Sequence, residues 1–155
     1  MASVRMTIAL AALMLLTLPA AAPAQEAGKP KKLVEYRQAV MSSLGGHASA
    51  VSAIVKGQVD VDHLLPHARA IAATAATVDD IWWDNSTYED YEKTDALPKI
   101  WQQPDDFQER IDKFQTAAKD FVDAVETGER GRIIQGFKTL GNSCGGCHDN
   151  YRYEE

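Results

Sequence analysis

The only two cysteines of this 155-residue chain are Cys144 and Cys147, and His148 follows the second one directly. This C-x-x-C-H spacing is the attachment sequence of a c-type haem. On a helix, positions i and i+3 project from nearly the same face, so both thiols can reach the two vinyl groups along one edge of a porphyrin. The imidazole of His148 would then lie beneath the iron. The pattern predicts one covalently bound haem c with His148 as an iron ligand.

Three other uses of a cysteine pair agree less well with the sequence. A redox-active pair normally sits at a helix N-terminus, where the dipole lowers the thiol pKa, but this pair lies near the end of the last predicted helix. A structural zinc site needs four ligands, and the chain has no second cysteine pair. A disulfide between these two residues would be strained and would leave His148 unexplained. With two cysteines there is no disulfide framework either, so the domain must depend on a core or a cofactor.

The N-terminal sequence MASVRMTIALAALMLLTLPAAAPAQE has the features of a secretory signal peptide. One arginine precedes an apolar stretch over 6–18, and Ala22-Pro23-Ala24 forms an A-x-A cleavage pattern. The stretch is too short to span a bilayer comfortably, and no second span follows. We predict a signal peptide over 1–24 and an exported mature domain over 25–155.

The mature domain is acidic, because loss of Arg5 with the signal peptide changes the formal charge from −6 to −7. An acidic surface argues against nucleic acid and against anionic lipid as partners. We therefore expect no nucleic-acid partner, and no membrane span once the signal peptide is removed.

Four stretches of the mature sequence repeat apolar residues at steps of three and four, the period of an α-helix. They cover 31–56, 61–82, 104–126 and 130–152. Pro104 suits the first turn of the third helix, and Gly128 suits a stop after it. Short connections at 57–60 and 127–129 make the joined helices antiparallel neighbours. We predict an all-α fold, an antiparallel four-helix bundle.

The connection over 83–103 is long and polar, and such connections are often functional. Three tryptophans bracket it and are interpreted as apolar anchors rather than as an electron route: Trp82, Trp83 and Trp101. Six glycines also lie within the first and last predicted helices: Gly45, Gly46, Gly136, Gly141, Gly145 and Gly146. Each is expected to destabilise its helix by about 1 kcal/mol relative to alanine. They indicate either tight helix packing or a large flat group against the backbone, and the sequence leaves both open.

Taken together, these segments resemble the cytochrome c-prime family, the class II c-type cytochromes. The matching segments are EYRQAV at 35–40, VKGQ at 55–58, TDALPKIW at 94–101 and SCGGCHDNYR at 143–152. The resemblance covers essentially all of the mature chain. It implies a left-handed four-helix bundle with haem held between helices near one end, frequently a homodimer, in a proteobacterial periplasm.

The resemblance also implies roles for individual residues beyond the two thioether cysteines and the proximal histidine. Arg37 and Gln38 match family positions that contact the haem edge and its propionates. Thr94 and Asp95 match a loop position that approaches the haem. Arg152 falls where the family has a basic residue near the proximal ligand.

The function depends on the sixth coordination position of the iron. Met41 lies about ten residues into its helix and His148 about seven from the chain's end, so at about 1.5 Å per residue their depths differ by only a few ångströms. A bound Met41 thioether would give a low-spin haem with a raised potential, suited to single-electron transfer with periplasmic redox partners. We expect this function. The alternative, which the resemblance implies for typical members, is a five-coordinate, high-spin haem that binds NO or CO.

The remaining histidines are less suited to the iron. His47 is a rival distal ligand, but it lies nearly two turns from Met41, a displacement of about 9 Å. His63 and His67 flank Pro66 and are expected at the surface. Catalysis would need a distal base near Met41, and the first helix supplies none, so we do not expect an enzyme.

Overall fold

The computed structural model describes residues 29–83, 86–91 and 93–154. The four long helices of this part are α1 (Lys29–Val55), α2 (Leu64–Ala75), α4 (Pro104–Glu126) and α5 (Arg130–Tyr151); α3 (Lys99–Gln102) is a single turn. Within the same residues, extended segments meet only in one isolated bridge, between Ala96 and Arg152. The predicted all-α four-helix bundle is confirmed. The predicted signal peptide over 1–24 lies outside the described residues, and no described helix has the length and hydropathy to cross a bilayer.

Glycines end two of the long helices. Gly57 and Gly128 both have φ of 69°, a left-handed conformation that glycine adopts without steric cost. After α1, the Gln58 N–H donates to the Ala53 carbonyl and the Gly57 N–H donates to the Ile54 carbonyl, both at 2.9 Å. These two bonds form a Schellman motif, which satisfies carbonyls that the helix end leaves unpaired.

The second helix is shorter than predicted. The prediction of one helix over 61–82 is wrong at both ends, because α2 covers Leu64–Ala75 and a separate 3₁₀ helix follows at Val78–Ile81. Val61, the first residue of the predicted helix, precedes α2 and is 44% exposed. The hydroxyl of Thr77 donates to the Thr74 carbonyl at 2.8 Å, and such local side-chain bonds compete with continuation of a helix.

The packing order of the helices determines where space remains. α4 packs against both α5 and α2, and α2 packs against α1. The most deeply buried apolar side chains come mainly from α2 and α4 and the 3₁₀ helix between them, with one from α1: Val51, Ala68, Ile71, Ala75, Ile81, Ala118 and Phe121. α1 and α5 do not pack extensively on each other. Instead, a cavity separates the first helix from the last.

Candidate functional site

A cavity of about 730 Å³ lies between α1 and α5, with α4, the segment at 94–96, and residues of α2 and of the segment at 78–82 completing its walls. This volume is within the usual range for small-molecule and cofactor sites. The structure brings all nine residues that the sequence analysis singled out into its lining: Arg37, Gln38, Met41, Thr94, Asp95, Cys144, Cys147, His148 and Arg152. Residues far apart in the sequence therefore share one site.

The α5 wall carries the two thiols. Cys144 and Cys147 are half-buried, and burial raises the pKa of both, that of Cys147 to about 11. A dithiol redox site keeps one thiol at low pKa, so these cysteines do not have the character of a redox pair. Among the described residues, no three His, Cys, Asp or Glu side chains form a metal-binding cluster.

His148 lies one position beyond the second thiol, at the rim of the same wall. Its side chain is exposed on one side, yet partial burial and the Arg152 guanidinium lower its pKa, against an opposing effect of Asp149. The lowered pKa favours the neutral imidazole, which is the form that binds a metal ion. Arg152 is held by Asp95, with Nε at 3.1 Å from Oδ2.

The α1 wall is mainly apolar at its centre. Met41, Leu44, Gly45 and Ala48 line the cavity there, with the hydroxyl of Ser42 beside them. Met41 is partly buried, and its side chain also packs against the hydrophobic core. The wall that faces the thiols thus presents a thioether and small apolar groups.

His47 is not part of the cavity lining. Its Nδ1 lies 2.9 Å from Nδ1 of His67, across the α1–α2 contact. His63 is exposed, as expected, whereas His67 is half-buried because the α1–α2 contact covers part of it. Of the α1 side chains that line the cavity, Met41 is the one with a thioether, a known ligand of haem iron.

The glycines divide between the two interpretations left open by the sequence. A Cβ on Gly136 would lie 3.1 Å from Ala124 Cβ and 3.3 Å from Phe121 Cδ2, so this glycine permits close packing of α5 on α4. A Cβ on Gly45 would meet no described atom within 4 Å, although Gly45 lines the cavity. Absence of a side chain there keeps the cavity open beside the α1 backbone.

A buried guanidinium forms one edge of the cavity. Arg37 is 3% exposed and donates to Ser86 Oγ at 2.8 Å, to the Ser86 carbonyl at 2.6 Å and to Thr94 Oγ1 at 2.9 Å. Its Cζ lies 5.2 Å from the ring centre of Trp82. Burial lowers its pKa to about 10, so it remains a cation at neutral pH. Among the described residues no carboxylate forms an ion pair with it.

The other polar contacts at this edge are weaker. Gln38 is exposed and its side-chain amide donates to the Lys93 carbonyl. Asp95 is about half exposed and forms its ion pair with Arg152. The three tryptophans are partly buried and pack on the core, as expected of anchors, and Trp82 also lines the cavity.

Sequence reasoning missed a polar group on α4. Arg110 lines the cavity, and its Nη1 lies 3.8 Å from the position of a Cβ on Gly146, between the two cysteines. Asp106 receives a 3.5 Å contact from Arg110 and a hydrogen bond from the Tyr151 hydroxyl. The signal was available, since Arg110 flanks the apolar stripe between Phe107 and Ile111.

The residues present agree with a covalently attached haem. Cys144, Cys147 and His148 provide the thiols and a neutral imidazole on one wall, and the opposite wall is largely apolar. Within the described residues, the indole Nε1 of Trp82 and the Nε of Arg110 are buried without a hydrogen-bond partner, and Arg37 has no anionic partner. A flat apolar group that carries carboxylates would complement these features.

Comparison with known proteins gives a consistent result. A family model described as Cytochrome C′ matches residues 32–152. The cytochrome c′ of Pararhodospirillum photometricum is 32% identical over 124 residues, which cover 79% of this chain and 98% of that protein. The solved structure of cytochrome c prime from Shewanella frigidimarina has a TM-score of 0.74 and 31% identity, and the match covers 81% of this chain and 97% of that one.

A further solved structure is a nitric oxide complex of a mutant cytochrome c prime from Alcaligenes xylosoxidans. It has a TM-score of 0.73 over 81% of this chain and 97% of that one, at 24% identity. At this identity the likeness shows the fold alone.

Proposed function

The chain belongs to the cytochrome c′ family, and from that premise we propose that it binds NO or CO in the cavity between α1 and α5. The cofactor is a covalently attached haem c, which supplies a redox-active iron to which a diatomic gas binds. The observation that carries the proposal is the apolar centre of the α1 wall, at Met41, Leu44, Gly45 and Ala48.

We assign the attachment of the haem to α5. Cys144 and Cys147 would hold it through two thioethers, and His148 would be the proximal ligand. The lowered pKa of His148 supports this role, because only the neutral imidazole has a free lone pair. The Asp95–Arg152 ion pair restrains the guanidinium beside that imidazole.

Arg37 would neutralise the propionate edge of the haem. It is a buried cation at neutral pH, and its fork is fixed by Ser86 and Thr94 before any anion binds. A carboxylate beside it would compensate the charge that burial leaves without a counter-ion. Gln38 and Thr94 complete this edge.

The α1 wall favours small neutral ligands. Diatomic gases need little space and no hydrogen-bond partner, whereas an anion placed against these apolar groups would lose its hydration without compensation. The wall supplies no imidazole or carboxylate near Met41 that would act as a distal base. That the protein is not an enzyme remains a prediction.

Electron transfer with Met41 as the sixth ligand is the second candidate. The specific observation in its favour is that Met41 lines the same cavity as the thiols, and a thioether is a competent ligand of haem iron that raises its potential. Against it, the same side chain packs on the core, which supports a five-coordinate iron.

Spectroscopy of the purified holoprotein distinguishes the two candidates. We expect a high-spin ferric spectrum, and uptake of NO and of CO after reduction. Met41→Leu keeps the side-chain volume and should leave the spin state unchanged, as should the neighbouring control Ser42→Ala. A low-spin ferric spectrum that becomes high-spin only in Met41→Leu would establish ligation and favour the electron carrier.

We further propose that the mature domain over 25–155 is periplasmic and forms a homodimer. The A-x-A pattern and the expected covalent haem attachment support export. Mass spectrometry of the protein from a periplasmic fraction should give a chain that starts at Gln25 and carries one haem. Light scattering of the same sample should give twice the protomer mass, and the protomer mass would contradict the dimer.

A further inference from the structure

Two tyrosines form an exposed stacked pair at the end of the molecule where the chain finishes. Tyr88 and Tyr153 are 36% and 46% exposed, and their rings lie 5.1 Å apart at an interplanar angle of 18°. Neither ring is buried, and each has the other as its aromatic neighbour. We call this pair, with its neighbours at 86–91, 93–96 and 152–154, the tyrosine patch.

The tyrosine patch adjoins the cavity through its backbone. The N–H of Tyr153 donates to the Asp95 carbonyl at 2.7 Å, and the N–H of Tyr88 donates to the Ala96 carbonyl at 2.9 Å. Asp95 and Ala96 both line the cavity. Each exposed ring therefore belongs to a residue that is one hydrogen bond from the wall of the haem site.

The tyrosine patch is acidic. It contains four acidic residues, Glu89, Asp90, Asp95 and Glu154, and two basic ones, Lys93 and Arg152, so its formal charge is −2. Asp95 and Arg152 pair with each other. Glu89, Asp90 and Glu154 are exposed, and they give the tyrosine patch a net negative charge.

We propose that the tyrosine patch is the docking surface for an electron-transfer protein with a positively charged rim. Tyrosine is enriched at interface centres and among the residues that carry most of the binding energy. Complementary charge steers the encounter and raises its rate. Redox encounters bury small areas, so a two-tyrosine centre with a charged rim is of suitable size.

The reaction at this surface is the transfer of one electron. The reduced partner is oxidised and this protein is reduced, with no other group exchanged. The proposal rests on the proposed function only in that both require the covalent haem. CO binding then needs the reduced iron, and the tyrosine patch is where the reducing electron would enter.

The test uses the full holoprotein and reduced or oxidised equine cytochrome c, a basic redox protein, as the probe. The same docking surface serves electron transfer in both directions. Stopped-flow absorbance therefore measures the bimolecular rate of electron exchange in the direction that the two midpoint potentials favour, at low and at high salt. The first variant is Glu89→Lys with Glu154→Lys. The matched control, Asp120→Lys with Asp123→Lys, makes the same change in net charge on the exposed face of α4.

We expect the variant in the tyrosine patch to lower the low-salt rate by about ten-fold and the control by less than about two-fold. High salt should remove the difference, because it screens the rim charges. Tyr88→Ser with Tyr153→Ser should slow the exchange with no change in net charge. Equal effects of the two charge-reversal pairs, or a rate independent of salt, would overturn the proposal.

Two further measurements separate this proposal from the proposed function. Reduction by a neutral hydroquinone reports the intrinsic reactivity of the haem and should be the same in all variants; a slower reduction would mean that the substitutions disturb the haem site rather than docking. Binding of CO to the reduced protein should also be unchanged. Failure of the wild type to bind CO refutes gas binding and leaves the docking result intact.

Discussion

Arg37→Met is the most informative single substitution in this protein. Methionine keeps much of the length and apolar volume of arginine, but it removes the cation and every donor of the guanidinium. The native side chain makes three hydrogen bonds to Ser86 and Thr94 and lies over Trp82. If a haem carboxylate compensates the charge, all of these favourable contacts contribute to stability.

The expected loss of stability depends on which hydrogen-bond acceptors of Arg37 keep another hydrogen bond after the substitution. Ser86 Oγ still donates to the Trp83 carbonyl at 2.5 Å, and Thr94 Oγ1 still accepts from the Ala96 N–H at 3.3 Å. The buried Ser86 carbonyl loses its bond to Arg37, which costs about 1–3 kcal/mol. Loss of the cation–π contact adds about 0.5–1 kcal/mol. We expect the free energy of unfolding of the holoprotein to fall by about 1.5–4 kcal/mol.

Guanidinium chloride unfolding of the holoprotein measures this change, with Arg69→Met as control. Arg69 is 62% exposed and pairs with the half-exposed Glu126 on α4, and such surface pairs contribute less than about 1 kcal/mol. The midpoint potential should also fall in Arg37→Met, because a cation beside the haem favours its reduced form. A cost equal to that of Arg69→Met, with an unchanged potential, would refute the inference that Arg37 faces a propionate.

Three further predictions concern the backbone and the α5 terminus. Gly45→Leu should place its side chain in the cavity and lower both haem content and CO affinity. Gly46 is outside the cavity lining, so Gly46→Leu should leave both quantities unchanged. A pyridine haemochrome assay measures the haem content, and a CO titration measures the affinity. Gly57→Ala should lower the free energy of unfolding by about 1–2 kcal/mol, because the residue has φ of 69° and a Cβ is disfavoured there; urea unfolding checks it, and a neutral result would contradict the assigned turn. Burial and the Asp106 carboxylate raise the pKa of Tyr151 to about 12, above the value near 10 of the unfolded chain. The stability that the neutral Tyr151 hydroxyl contributes is therefore complete below pH 10 and is lost between about pH 10 and pH 12. Tyr151→Phe should therefore lose stability less steeply over that range, measured by urea unfolding at pH 9 and pH 11.5.

The side of a helix that faces the site was easiest to predict where all the residues concerned lie on one helix. Leu140, Cys144, Cys147 and Tyr151 follow the helical period, and the structure places all four on the cavity face of α5. Pro104 and the helix end before Gly128 were also predicted correctly. In these cases local spacing alone determines which side of an element a residue occupies.

Contacts between distant segments could not be read in the same way. The burial of Arg37 depends on Ser86 and Thr94, which lie 49 and 57 positions away in the sequence. Nothing in the sequence of the first helix indicates that the hydroxyls of these two residues would cover the guanidinium. The covering of His67 by His47 likewise depends on how α1 packs against α2. Arg110 was overlooked because a charged residue beside an apolar stripe normally points to solvent.

The separation of α1 from α5 has a consequence for how small molecules move in and out. α1 packs on α2 but not extensively on α5, and its N-terminal half is also tied to Ser86 and Thr94 through Arg37. Because α4 packs on both α2 and α5, the amide hydrogens of α1 should exchange with solvent earlier than those of α4. Entry of small molecules to the cavity would then depend on local opening of α1, at a frequency set by its contacts with α2 and with Ser86 and Thr94 rather than by the chemistry of the iron.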